Sequence, residues 1–470
     1  MMNSPGYPQR SGSPASWLAH LTLFFSTLLM STVALAAKPP QYFVDESKLP
    51  FEARPNATAY YGVHARAGYR IEVPDDWNGS LVVWAHGFRG TGLELTVDNH
   101  PLRDLLIPQG YAWAASSYDR NDYDIASGVK STHALIKRFN GIAGKPDQIL
   151  MTGASMGGHI TGVLIEQYPQ LFDGALPICG VMGDYALFDF FLDFSLAGQQ
   201  LGTGSSEYPV DPVVYVTSTV PAIKSHLEAF TGGWPVVLNQ TGIDFKNLVE
   251  LRSGGDRPNF DEAWAFWNSP FVAFPGGSGP GNFLFDAGVG DGTVPRAPGN
   301  AADNIGVVYQ FDDDPELSDD EEMLNRDIFR IAAAPQTRRK QGLAQVPTIS
   351  GDIAVPVLTL HNLGDLFGPV LNQVEYNSRV FEQGKSDLLV QRAIRGVGHC
   401  EFTPLEFGTA FGELAAWVDF GVKPAGDDFS DPDKVAAEDF GCQFTDFTQF
   451  PNDPDGNNPG HIPDLTTPCP

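Results

Sequence analysis

An apolar run, Gln148-Ile149-Leu150-Met151-Thr152, leads directly into Gly153-Ala154-Ser155-Met156-Gly157, and a stretch of helical character follows to Tyr168. G-x-S-x-G at a strand-to-helix junction constrains the fold more than any other feature of this chain. A serine on so tight a turn takes strained backbone angles and projects its hydroxyl above the sheet edge. Small residues two positions to either side let strand and helix approach without a side-chain clash. In a chain with 50 glycines the same letters also arise by chance, so the flanking strand and helix are what give them meaning.

Similar apolar runs recur. Leu81-Val82-Val83-Trp84-Ala85 ends at His86-Gly87, Tyr111-Ala112-Trp113-Ala114-Ala115 follows, and Gly174-Ala175-Leu176-Pro177-Ile178-Cys179 comes after the serine. Continuous apolar runs bounded by turn residues read as strands buried on both faces. Residues 69–74 read as a further strand, and 127–139 and 157–168 as helices. Strands alternating with helices predict an α/β chain whose mostly parallel central sheet is covered by helices on both faces. The rhythm stops near Cys179, resumes at 355–360, continues through 388–394 and closes on a helix over 404–420. The expected organisation is a core over 37–180 and 351–425, a large insertion over 181–350 after the sixth core strand, and a loop-rich tail over 426–470.

A nucleophilic serine needs a base, and the base needs an acid behind it. If the serine turn belongs to the hydrolase arrangement, the acid and then the histidine follow it along the chain. Asp365 stands in His361-Asn362-Leu363-Gly364-Asp365, just past the strand 355–360, and His399 in Arg395-Gly396-Val397-Gly398-His399, just past 388–394. Both emerge at the C-terminal ends of parallel strands, where such sheets build their sites. A neutral imidazole takes the serine proton, while the carboxylate fixes the ring's tautomer and stabilises the imidazolium that forms. His86, His159 and His361 also lie near strand ends or the serine, but of these four only His399 follows both serine and acid. Asp291, in Gly290-Asp291-Gly292, is the rival acid; no clear strand precedes it, and it falls inside the insertion. A developing oxyanion calls for backbone donors, expected from the amide of Met156 and, in the turn after His86-Gly87, the amide of Phe88.

On these residues the chain resembles the α/β-hydrolase superfamily, serine type, over 37–180 and 351–425, about half its length. The resemblance implies the α/β-hydrolase fold and a Ser155–His399–Asp365 triad that cleaves carboxylic esters through an acyl-enzyme. A serine peptidase or amidase is the alternative, because the triad is shared, and a non-catalytic ligand-binding protein is a third reading. His399-Cys400 is also similar to the tannase and feruloyl esterase group, in which cysteines flanking the nucleophile and the histidine are bridged. Ala154 precedes Ser155 here, so that subfamily is not assigned, and Cys179 would have to tie down Cys400 instead. The insertion leaves the sheet beside the nucleophile's strand and is expected to cap the catalytic edge. Its aromatic stretches, 184–194 and the group Phe260, Trp264, Phe266, Trp267, Phe271 and Phe274, serve either as the cap's own core or as a pocket for an apolar or aromatic substrate group.

The first 36 residues carry an apolar run, Trp17 to Met30, and a small-x-small pattern at Ala34-Leu35-Ala36. They read as a signal peptide cleaved near Ala36, which implies a secreted or periplasmic protein. In such an oxidising compartment Cys179, Cys400, Cys442 and Cys469 are expected to form two disulfides. Three connectivities are open; the one that closes the tail, Cys442 with Cys469, leaves Cys179 for Cys400. Acids outnumber bases 57 to 29, a formal charge of −28. That argues against a nucleic-acid partner and against an anionic membrane surface. No later run reaches the ~18 apolar residues of a membrane span, so stable membrane insertion is not expected. The acidic stretch 312–322 and Asp453-Pro454-Asp455-Gly456-Asn457 lack the spaced ligands of a calcium loop. No metal and no cofactor is assigned, and the expected partner is a small-molecule or polymer ester.

Overall fold

The computed structural model describes residues 41–231, 236–269, 272, 285, 299–338, 346–447 and 468–470. The signal-peptide segment, Asp291, Phe271, Phe274 and the 453–457 stretch lie outside the described residues. One eight-stranded sheet organises the chain: β1 (Ala57–His64), β2 (Ala67–Pro74), β3 (Ser80–Ala85), β4 (Ala112–Ser116), β5 (Gln148–Ala154), β6 (Gly174–Ile178), β7 (Val357–Asn362) and β8 (Leu389–Ile394). Their order across the sheet is β8-β7-β6-β5-β3-β4-β2-β1. The six strands from β8 to β4 are mutually parallel, and β2 turns antiparallel to both β4 and β1. This is the expected α/β-hydrolase fold.

The central strands are buried because each feeds two cores. Leu81, Val83 and Ala85 of β3 face a cluster built with Val129, Ile136 and Phe139 of α1 (Ile125–Ala143) and with Ile160, Val163 and Leu164 of α2 (Met156–Gln167). Val82 and Trp84 point to the opposite face, against Phe407, Phe411 and Leu414 of a helix over Pro404–Phe420. The period-two alternation of strand side chains produces both faces, and a strand covered on both sides is apolar along most of its length.

Between β6 and β7 the chain builds α3 (Tyr185–Thr203), α4 (Val220–Leu227), α5 (Gln240–Ser253), α6 (Phe260–Trp267) and α7 (Asp319–Asp327). They have a third core of their own, including Phe190, Phe194, Phe245, Trp264 and Trp267. α3 is apolar nearly all round because it packs on several sides. Its one buried acid in that core, Asp193, is bound by Arg252 (2.6 Å) and by the Tyr309 hydroxyl (2.6 Å). The acidic stretch ends in a helix rather than a loop. Ser318 and Glu321 form a capping box at the start of α7, and four acids occupy its first turn, where the helix dipole favours negative charge. After β7 come α8 (Leu371–Glu382) and, after β8, α9 (Pro404–Phe420). Disulfides join Cys179 to Cys400 and Cys442 to Cys469.

Candidate active site

Ser155 sits between β5 and α2 with φ 57° and ψ −121°, a conformation that costs a residue with a side chain roughly 1–3 kcal/mol. The neighbouring glycines make the turn possible. A Cβ on Gly153 would lie 2.3 Å from the Gly157 carbonyl oxygen, and one on Gly157 would lie 2.0 Å from that of Ala85. Met156 opens α2, so its amide has no acceptor inside the helix. The turn after β3 passes close over the serine: a Cβ on Gly87 would be 3.2 Å from Ser155 Cβ and 3.6 Å from its Oγ. Phe88 follows, half-buried against the α1–α2 core.

The loops after β7 and β8 bring Asp365 and His399 to this point. The Ser155 hydroxyl donates to His399 Nε2 at 2.7 Å, and His399 Nδ1–H donates to Asp365 Oδ2 at 2.5 Å. Asp365 is fully buried, and its other oxygen accepts the amides of Phe367 (2.9 Å) and Gly368 (2.8 Å). Three donors compensate a carboxylate that would otherwise be costly to bury.

The other histidines near strand ends are packed, and burial disfavours their charged form. Burial lowers His361 to about 4; its Nε2–H donates to Gly368 O (2.7 Å), and Gln373 donates to its Nδ1 (3.2 Å). His86 is lowered to about 3 by burial, with its ring stacked on Tyr118 and Nδ1–H donating to Gly87 O at 2.7 Å. His159, lowered by burial, donates from Nε2 to Pro347 O (2.7 Å) and accepts the Tyr123 hydroxyl at Nδ1 (2.9 Å). His361 nevertheless bears on the site, since it grips the same Gly368 whose amide holds Asp365.

Two supports of the site, Trp267 and Arg257, have no such role assigned to them by the sequence. The Trp267 indole N–H is shared between the carbonyls of Gly364 (2.8 Å) and Val397 (2.9 Å), one on the acid loop and one on the histidine loop. Arg257, buried, donates from Nε to Leu363 O at 2.8 Å. Leu366 and Val397 pack into the core of the inserted helices. The two loops thus rest on the inserted helices as well as on the sheet. Cys179, one residue beyond β6, is bonded to Cys400, so the neighbour of His399 is tied to the strand beside the one that leads into Ser155. Cys179, His399 and Cys400 also form a cluster of potential metal ligands among the described residues, but both sulfurs are in the disulfide. A cavity of about 580 Å³ lined by Arg54, Asp76, Asp104 and Gln109 shares no residue with this constellation.

No family model matches the chain. It is similar to the o-phthalyl amidase of Xanthobacter agilis, at 21% identity over 412 residues, which covers 79% of this chain and 88% of that protein. Among solved structures it is similar to feruloyl esterase B from Aspergillus oryzae, at 14% identity and TM-score 0.42, over 78% of this chain and 81% of that one. An esterase from Aspergillus oryzae gives 14% identity and TM-score 0.44, over 78% and 80%.

Proposed function

We propose that this chain, an α/β-hydrolase of the serine type, cleaves carboxylic esters through an acyl-enzyme. The single observation that carries the reading is the relay Ser155–His399–Asp365, with its links of 2.7 and 2.5 Å. His399 Nε2 takes the serine proton as Oγ bonds to the substrate carbonyl carbon. The amides of Met156 and Phe88 receive the developing oxyanion. The imidazolium then protonates the leaving oxygen, the C–O bond breaks, and water releases the acid by the same steps in reverse order. In this proposal residues 37–180 and 351–425 supply the chemistry, and 181–350 caps the catalytic edge over an apolar or aromatic substrate group.

The similarity to an amidase favours a second reading, an amide hydrolase or peptidase with the same groups. We also propose export after cleavage near Ala36. Two disulfides suit an oxidising compartment, and no helix among the described residues is long and apolar enough to cross a membrane.

A fluorophosphonate should label Ser155 alone, and Ser155→Ala should abolish both labelling and turnover. Label on another residue would overturn the assignment. Initial rates on a short nitrophenyl ester beside an aminoacyl anilide decide between ester and amide.

A further inference from the structure

α3 carries Phe188 and Phe191 three residues apart, hence on one face of the helix. Phe188 meets Tyr123 edge-on, with centroids 5.3 Å apart at 89°. Phe191 lies over Phe367, 6.1 Å away at 23°, and Phe367 in turn stands edge-on to the His399 imidazole at 5.0 Å and 77°. Tyr123 belongs to the loop after β4 and Phe367 to the loop after β7, so α3 crosses the catalytic edge and touches both sides. All four rings are half-buried, each keeping part of its surface open.

The two ends of this aromatic span are chemically unequal. When Ser155 Oγ bonds to the carbonyl carbon, its proton passes to His399 Nε2. When the tetrahedral intermediate collapses, the bond to the leaving oxygen breaks, and that oxygen takes the same proton from Nε2. The leaving oxygen must therefore come within hydrogen-bond reach of Nε2, and whatever group it carries lies beside the imidazole. The ring beside the imidazole is Phe367, with Phe191 behind it.

Resting on the hydrolase reading above, we infer that Phe367 and Phe191 form a shelf for the leaving group, selecting a flat aromatic alcohol such as an arylmethyl group, while Phe188 and Tyr123 lie outside that subsite. Aromatic rings favour offset-stacked and edge-on partners beyond what apolar area alone gives. The shelf thus distinguishes a planar ring from a saturated one of similar size.

The test compares benzyl acetate with cyclohexylmethyl acetate, which share an acyl group and differ at the leaving group in planarity. In Phe191→Leu the benzyl-to-cyclohexylmethyl ratio of kcat/KM should fall about 3- to 10-fold relative to the unaltered enzyme. The ratio for ethyl phenylacetate against ethyl cyclohexylacetate, which probes the acyl side, should not change. In Phe188→Leu the leaving-group ratio should hold. An unaltered ratio in Phe191→Leu, a change confined to the acyl series, or an equal fall in Phe188→Leu overturns the shelf. A measurement without any variant guards against misfolding: benzyl alcohol should inhibit the unaltered enzyme more strongly than cyclohexylmethanol, and equal inhibition counts against the proposal. If no acetate is turned over, the matching benzyl and cyclohexylmethyl amides take their place. Turnover of neither bond sinks the hydrolase reading and the shelf with it, whereas turnover with an unaltered ratio sinks the shelf alone.

Discussion

Asp365 has no freedom in how it meets His399. One oxygen is pinned by the amides of Phe367 and Gly368, which leaves the other facing Nδ1. Asp365→Asn would present an amide to that nitrogen and favour the wrong tautomer, so kcat should fall on the order of 10⁴-fold while the fold persists; steady-state kinetics beside circular dichroism checks both halves. Gly87→Ala tests the turn above Ser155. The added methyl would sit 3.2 Å from Ser155 Cβ and 3.4 Å from Ala154 O. A displacement of a few tenths of an ångström there should cost about 10- to 100-fold in kcat/KM, with little movement of Tm in a thermal melt. That Ser155, Asp365 and His399 meet was legible in the sequence, because each stands just past an apolar strand on the same sheet edge. Gly368 was not legible as a support, because its two hydrogen bonds, amide to Asp365 and carbonyl from His361, arise only once the loop has folded round Asp365.

Elements differ in the same way. β3, β5, β6, β7 and β8 announce themselves as apolar runs because they are covered on both faces. β1 has no such signature: it is an edge strand with no fully buried residue, so no hydrophobic pattern marks it. α6 was readable as part of an aromatic group but neither as a helix of these bounds nor as a support for the site, since one indole N–H reaching two loops 97 and 130 residues away leaves no trace in local spacing. Trp267→Phe keeps the packing and removes that donor. Two buried carbonyls then lose a partner, at a cost of about 1–3 kcal/mol. Because the indole anchors the Asp365 and His399 loops, kcat should fall roughly 10-fold with KM nearly unchanged. A rise in KM at constant kcat would show that Trp267 acts on substrate binding instead.

At the scale of the molecule, the charge of −28 coexists with carboxyls that the fold keeps partly out of water. Burial pushes Glu250 up to about 7, against the pull of Arg257; it pushes Asp189 to about 6, against Arg338, and Asp427 to about 6, against the Ala393 amide. A carboxyl raised in the folded state binds its proton more tightly there than in the unfolded chain. Its contribution is therefore complete below the unfolded value and is lost as pH rises through the folded one. Tm should decline between pH 5 and 8, and Glu250→Gln should reduce that decline by about 1–2 °C; calorimetry at both pH values reads it, and an undiminished decline would clear Glu250. The inserted helices bear on time as well. Ile178 ends β6 and Val357 begins its neighbour β7, so 357 − 178 = 179 positions separate one from the other. At about 5–20 residues per second of synthesis, roughly 9–36 s pass after β6 is made before the strand that covers its outer edge exists. An uncovered edge is a template for the wrong partner. The length of the insertion is in this sense a clock, and each residue removed from it would shorten the wait of a bare strand for its neighbour.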